Sequence, residues 1–204
     1  MKKLIFAFAI LTIGVSTSCK KKKTTTPDSS VHVNTYNTSV TLAYDASQTD
    51  PMCFLDLDNG AVYSVSQASA HQSEIDVVYV MRYMNANDPM FISIGNFDGG
   101  SGYPISYWDK TTLGINTWTT FNHTYLSAVS SSSTTAMFDA MQTTADLTTW
   151  YGSAPIFDNL NVDPNTIGAL FKFKTHQNKR GAIKVIDCVN GSNGYATIQI
   201  KVEP

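Results

Sequence analysis

A short acidic stretch is the first place where the sequence could do chemistry. Asp56-Leu57-Asp58-Asn59-Gly60 brings carboxylate and amide oxygens into one tight segment, and hard oxygen ligands of this kind suit Ca²⁺. The order differs from the EF-hand loop, because glycine is fifth instead of sixth and no glutamate is twelfth. A hairpin turn explains Asn59 and Gly60 by itself. We therefore predict no metal site and no cofactor.

Asp76 is unusual because it lies in an apolar, β-branched run, residues 75–83. A carboxylate in such a run must be paired, hydrogen-bonded or on a wet face, since an unpaired buried charge is strongly destabilising. We expect a structural partner for Asp76 rather than a catalytic role.

Nucleophilic and metal-dependent catalysis lack their usual sequence signs. Ser101 is preceded by Gly99 but followed at position 103 by tyrosine, where a nucleophile elbow needs glycine. The four histidines occur at unrelated spacings, with no zinc-type pair. We expect a protein without enzymatic activity. The alternative is a hydrolase of envelope or extracellular polymers, in which Asp98 and Asp109 would converge in one cleft.

Aromatic residues concentrate in a segment rich in glycine, serine and proline, residues 97–110. Tyr103, Tyr107 and Trp108 lie there, and Trp118 follows. Exposed aromatic rings form amphipathic contact surfaces for sugars and proteins. These four residues are our candidate ligand-binding residues, for a glycan or a protein partner. The alternative is that the rings close the core.

The N-terminus has the organisation of an export signal. Lys2 and Lys3 precede an apolar run, residues 4–15, which is too short to span a bilayer. The run ends in Ser16-Thr17-Ser18-Cys19, which resembles the lipobox of bacterial lipoproteins. The resemblance implies a signal peptide over residues 1–18, cleavage before Cys19 and acyl chains on that cysteine, which hold the protein to the outer membrane.

Residues 19–30 contain four consecutive lysines and then threonines, serines, a proline and an aspartate. With nothing apolar to bury, this segment is predicted to be a disordered tether. Its lysines suit anionic headgroups. The sequence leaves open whether the domain is on the periplasmic or the surface face.

The remaining residues, 31–204, have the length of a single domain. They carry 8 basic and 15 acidic residues, a net charge of −7. An acidic domain argues against a nucleic-acid partner, because phosphate binding requires clustered Lys and Arg.

Cys53 and Cys188 remain once Cys19 is assigned to lipid. An even pair in an oxidising compartment is compatible with a disulfide. Buried free thiols that pack as small hydrophobic groups are the equally weighted alternative.

The elements that must position these residues are mostly short strands. Alternating runs flank Asn59-Gly60, residues 75–83 predict a central strand, and residues 168–174, 182–189 and 195–202 predict a closing meander. One short helix is expected after a Ser133 or Thr134 cap. The pattern predicts an all-β fold, an antiparallel β-sandwich or barrel-like domain with one short helix.

The order of these motifs is similar to that of a group of uncharacterised Bacteroidota lipoproteins. The resemblance rests on the hairpin over residues 54–63, on Ile75-Asp76-Val77-Val78-Tyr79, on Phe138-Asp139-Ala140-Met141 and on the closing strands. It implies a membrane-anchored, extracytoplasmic β domain and no particular reaction. We expect a non-enzymatic binding or scaffold module of the cell envelope. A purely structural envelope component is a further alternative.

Overall fold

The structure is a computed structural model that describes residues 31–43, 49–81, 89–98, 111, 113–129, 132–153, 164–191 and 193–204. Within these ranges nine strands form two antiparallel sheets. The strands are β1 (Asn34–Thr41), β2 (Phe54–Leu55), β3 (Val62–Tyr63), β4 (Val77–Met81), β5 (Pro89–Ser93), β6 (Tyr125–Ala128), β7 (Leu170–Lys174), β8 (Arg180–Val189) and β9 (Tyr195–Val202). The helices are α1 (Val65–Ala68), α2 (Thr135–Ala140) and α3 (Thr144–Tyr151), with 3₁₀ turns at Ser69–His71 and Ile94–Phe97.

The two sheets have the layered arrangement that the strand pattern predicted. The larger sheet has the order β1-β9-β8-β7-β6 and the smaller has the order β3-β2-β4-β5. A single apolar cluster contains residues of both sheets, including Phe54, Val78, Ile183 and Ile198, all fully buried. The expected all-β, sandwich-like fold class is confirmed.

The central strand of the smaller sheet is buried on both faces. β4 lies between β2 and β5, and all five of its residues are buried. A strand covered on both sides reads as a continuous apolar run rather than as an alternation. This confirms the prediction of a central strand over the described part of residues 75–83.

The last strand shows the predicted alternation but not a fully wet outer face. Ala196, Ile198, Ile200 and Val202 are all fully buried in the core. On the opposite face Lys201 is only 4% exposed. The reason is that α2 and α3 pack across the outside of the larger sheet and form a second apolar cluster with Phe138, Leu147 and Trp150.

The single helix expected after residue 133 is in fact two helices. Thr134 caps α2, where its hydroxyl accepts a hydrogen bond from the Met137 amide. Thr143 begins α3 with a capping box in which Asp146 bonds back to the Thr143 amide. Thr143 lies inside the predicted helix and acts as a second N-cap. Because N-cap residues favour the start of a helix, the first helix ends before Thr143 and another begins after it.

Several predictions concern residues outside the described ranges. The signal peptide, Cys19 and the tether lie within residues 1–30, while Tyr103, Tyr107, Trp108 and Asp109 lie within residues 99–110. Among the helices of the described ranges, none has the length and apolar character needed to cross a membrane.

Candidate metal centre

The β2–β3 hairpin sets the positions of Asp56 and Asp58. The Asp56 carbonyl accepts one hydrogen bond from the Gly60 amide, with an N···O distance of 2.9 Å. Within this hairpin only Gly60 has a positive φ, 74°, whereas a two-residue type I′ turn needs two such residues. The connection is therefore a loop over residues 56–61 rather than a two-residue turn. Within it, Asp56 Oδ1 accepts a hydrogen bond from the Asp58 amide at 2.8 Å. This bond holds the two carboxylates on the same side of the loop.

Asp76 enters from the start of β4 and is completely buried. Its Oδ2 accepts a hydrogen bond from the Leu57 amide at 2.9 Å. Its Oδ1 accepts one from the Thr124 hydroxyl at 2.6 Å and faces His176 Nδ1 at 3.4 Å. The expectation that this carboxylate has structural partners is confirmed, and those partners tie it to the hairpin loop between Asp56 and Asp58.

The turn between β7 and β8 closes the site from the larger sheet. Thr175 donates its amide to the Lys179 carbonyl at 2.9 Å, and Asn178 adopts a positive φ of 67°. Asparagine tolerates this left-handed conformation better than most residues. The tight turn directs Thr175 and His176 toward the carboxylates of the smaller sheet.

Three carboxylates therefore converge. One ligand oxygen each from Asp56, Asp58 and Asp76 lies within 4.8 Å of the other two. Asp56 and Asp76 are buried, and Asp58 is partly exposed. Among the described residues, no histidine nitrogen or cysteine sulfur joins this group. The donor set consists of oxygen only.

Burial and mutual repulsion make this arrangement electrostatically unfavourable on its own. Burial, with further contributions from the Asp76, Asp58 and Glu74 carboxylates, raises the pKa of Asp56 to about 6. Burial and the Asp76 carboxylate also raise the pKa of Asp58.

His176 provides part of the opposing charge. A hydrogen bond to Asp76, together with the nearby carboxylates, raises the pKa of its imidazole and favours the cation. Lys179 lowers the pKa of Asp58 through its charge.

Two oxygens in the site have no hydrogen-bond partner among the described residues: Asp58 Oδ1 and Thr175 Oγ1. Thr175 is only 1% exposed. Its hydroxyl is near enough to Asp58 to lower the pKa of that carboxyl, but the pair does not have the geometry of a well-formed hydrogen bond. Buried polar groups in proteins almost always have partners, so each exception needs an explanation.

Sequence reasoning found part of this site and missed the rest. The sequence points to Asp56 and Asp58 in one motif and to Asp76 in a strand, and it predicts no metal site, because no local pattern joins residue 56 to residue 76. Thr175 and His176 are distant in sequence from these aspartates, and no local pattern connects them to the site. The signals that could have located the site are Asp76 beside an apolar strand and the polar turn between β7 and β8. Only the pairing and stacking of the strands bring these two features together.

The candidate ligand-binding aromatic residues have different outcomes. Trp118 is 6% exposed and packs against Phe54, with ring centroids 5.4 Å apart, and against Phe121 at 6.3 Å. It packs in the core, as expected if the rings close the core, and its role in ligand binding stays a prediction. Tyr103, Tyr107 and Trp108 lie outside the described residues, and their role stays a prediction.

The two cysteines of the domain are free thiols in the structure. Cys53 is completely buried, and Cys188 packs against the edge of the main core. Burial raises the pKa of both thiols, which disfavours the reactive thiolate. Disulfide formation between Cys53 and Cys188 stays a prediction.

No protein-family model, no curated protein and no solved structure matches the chain.

Proposed function

We propose that the chain is a lipid-anchored, non-enzymatic binding or scaffold module of the bacterial outer membrane, which binds a glycan or a protein partner. The observation that carries this proposal is the N-terminal order of two lysines, a short apolar run and Ser16-Thr17-Ser18-Cys19. Export, cleavage and acylation at Cys19 follow from that order. The lysine-rich segment then separates the lipid from the domain, whose first strand begins at Asn34.

The exposed edge of the larger sheet, on the face that α2 and α3 partly cover, supports a binding role. At this edge β1 pairs with β9 and presents uncharged polar side chains. Ser39 and Thr197 share a hydrogen bond of 2.8 Å, and Gln199 donates to Asn37 at 3.0 Å. A row of hydroxyls and amides on a rigid strand pair offers donors and acceptors in fixed positions, which is what a polar ligand requires.

The anchor is tested by expressing the full-length chain and a Cys19→Ala variant in a Gram-negative host. Intact-mass spectrometry of the wild-type protein should find residues 1–18 removed and acyl chains on Cys19, and the protein should fractionate with the outer membrane. The variant should keep its signal and lose the acyl mass. A wild-type protein that retains Met1, or whose Cys19 is an unmodified thiol, would contradict the proposal.

Ligand binding is tested by pull-down of envelope polysaccharides and envelope proteins with the full-length chain. Replacing Tyr103, Tyr107 and Trp108 together by alanine should abolish capture. Met137→Ala is the matched control, because Met137 is a 46% exposed apolar side chain on α2. Capture that survives the triple change would place the ligand elsewhere. Absence of any specific captured species would contradict a binding role.

A further inference from the structure

We propose that Asp56, Asp58, Asp76 and Thr175 form a binding site for a divalent hard cation, with calcium preferred, that joins the two sheets of the domain. This inference goes beyond the proposed envelope function and does not depend on it. It rests on the geometry of the cluster and on an independent observation at Thr175.

The carboxylate oxygens of the site outnumber the hydrogen-bond donors around them. Three carboxylates supply six oxygens, and the hydrogen bonds found inside the site come from the Asp58 and Leu57 amides and from the Thr124 hydroxyl, with His176 facing Asp76. Carboxylates accept hydrogen bonds and cannot bond one another while ionised. Charges buried together are retained when they are paired or when they coordinate a metal. The described donors are too few for the oxygens present.

The Thr175 hydroxyl supplies a further oxygen that is not part of the acidic group. Its side chain is buried, its oxygen has no hydrogen-bond partner among the described residues, and it faces Asp58. An unpartnered buried hydroxyl is destabilising in general, because it loses its hydrogen bonds to water and gains none in return. A cation between Thr175 and the carboxylates would satisfy the hydroxyl oxygen and Asp58 Oδ1 at the same time.

The chemistry of the donors selects the ion. Zinc and other soft or intermediate metals take cysteine or histidine ligands, and the converging atoms are oxygens only. Ligands on opposite sides of Ca²⁺ lie up to about 4.8 Å apart, because Ca–O distances are about 2.4 Å. The three carboxylate oxygens lie close enough together for one ion to contact all of them. Mg²⁺ requires a tighter, near-octahedral set and retains water.

The position of the site gives the ion a structural role. Asp56, Asp58 and Asp76 belong to the loop and strand ends of the smaller sheet, whereas Thr175 follows β7 of the larger sheet. A bound cation would connect these elements at one end of the sandwich. Such a bond forms only in the folded protein, so binding raises the stability of the fold.

The test uses the full-length chain, stripped with EDTA and dialysed. Titration calorimetry with CaCl₂ should detect one site with a Kd of about 10⁻⁵ to 10⁻³ M, between the weakest calcium sensors and the extracellular modules. CaCl₂ should also raise the thermal midpoint, with MgCl₂ much less effective. No calcium binding at millimolar concentration would overturn the site, and equal or tighter magnesium binding would overturn the choice of ion.

Variants locate the binding. Asp58→Asn should weaken calcium binding about tenfold or more, because affinity depends on the ligand charge count. Asp187→Asn is the matched control, since it removes the same charge near the opposite end of β8, where Asp187 accepts a hydrogen bond from Tyr195. Calcium binding that is equal in both variants would overturn the proposed location.

Thr175→Val keeps the shape of the side chain and removes an oxygen that lacks a well-formed hydrogen bond. The variant should therefore fold at least as well as the wild type without calcium, and should bind calcium several-fold more weakly. Unchanged affinity would overturn the role of Thr175 as a ligand. This variant separates ligation from folding, because a purely structural residue would change stability without changing affinity.

Discussion

Two regions of the molecule contain buried charged groups, and they differ in how many hydrogen-bond partners those groups have. On the outside of the larger sheet, Lys201 donates to the carbonyls of Phe138, Asp139 and Met141 at 2.9, 3.2 and 2.6 Å. Lys172 donates to the Tyr151 carbonyl at 3.2 Å. Both lysines are 4% exposed. At the end of the sandwich, three carboxylates meet instead with few donors.

The difference lies in what the backbone can offer. The last carbonyls of a helix have no partner within the helix and carry partial negative charge, so an ammonium group placed there satisfies both sides. The lysines close the C-terminal ends of α2 and α3 and need nothing from outside. The acidic site has a surplus of acceptors, which a proton or a bound cation would balance. Removing a charge should therefore have opposite consequences in the two regions.

The largest expected effect is at Lys201. Replacing it with methionine keeps the apolar stem but removes the ammonium donor from the Asp139 and Met141 carbonyls and leaves the Phe138 carbonyl only the Met141 amide. The loss should lower the free energy of unfolding by about 3 kcal/mol. Lys174→Met is the control, because Lys174 lies on β7 with its ammonium over the Tyr125 ring at 6.0 Å, a contact contributing about 0.5–1 kcal/mol. Urea unfolding of both variants gives the comparison, and similar losses would remove the special role of the helix ends.

A glycine in each region sharpens the contrast. Gly60→Ala would place a Cβ 2.7 Å from Tyr36 Cβ, at a φ of 74°. Left-handed strain and the clash together should lower stability by about 2–3 kcal/mol and displace Asp56 and Asp58. Gly152, after α3, has a φ of 65° with open space around its Cβ position.

Its ψ of −170° places Gly152 in a backbone region essentially restricted to glycine. Gly152→Ala should therefore lower the unfolding free energy by about 1–3 kcal/mol from strain alone, without displacing Asp56 and Asp58. Calcium binding should be lost in the Gly60 variant and kept in the Gly152 variant. Loss of binding in both would mean that the site responds to global stability rather than to the hairpin.

Asp58→Asn tests the sign of the comparison. In EDTA it should raise the free energy of unfolding by about 1 kcal/mol, because it removes one of three repelling carboxylates. In millimolar calcium it should be less stable than the wild type, because the wild type gains binding energy. Chemical unfolding under both conditions measures the reversal. A variant that is destabilised in EDTA would show that this carboxylate is already balanced within the protein.

The smallest effect is a pH dependence of the calcium-free protein. Asp56 and His176 both have raised pKa values in the folded state. Their stabilising contributions are complete below the ordinary values of 3.8 and 6.5, and they are lost as pH rises through about 6 for Asp56 and through the raised value for His176.

The thermal midpoint in EDTA should therefore fall between pH 5 and pH 8, and Asp56→Asn should make the fall shallower. Calcium should oppose it, since the ion competes with protons for the same oxygens. A midpoint that is independent of pH in EDTA would contradict the repulsion on which the comparison depends.

Local patterns carried most of the fold. The alternation in residues 195–202, the continuous apolar run of β4 and the hairpin around Gly60 depend on the side-chain period and on backbone conformation, which neighbouring residues set. The ends of α2 and α3 are harder to predict from the sequence. Apolar residues spaced three and four apart indicate a helix, but they do not show that Thr143 interrupts it. Burial of Lys201 could not be foreseen, since it depends on helices from elsewhere in the chain packing over the sheet.

By itself, the sequence determined the layered all-β fold and the separate identities of the acidic, aromatic and cysteine residues. The tertiary structure decided which of them meet. Asp56 and Asp76 become neighbours because β2 pairs with β4, and Thr175 reaches them because the two sheets stack. Contacts of this kind join residues up to about 120 positions apart, and no local preference of the backbone encodes them.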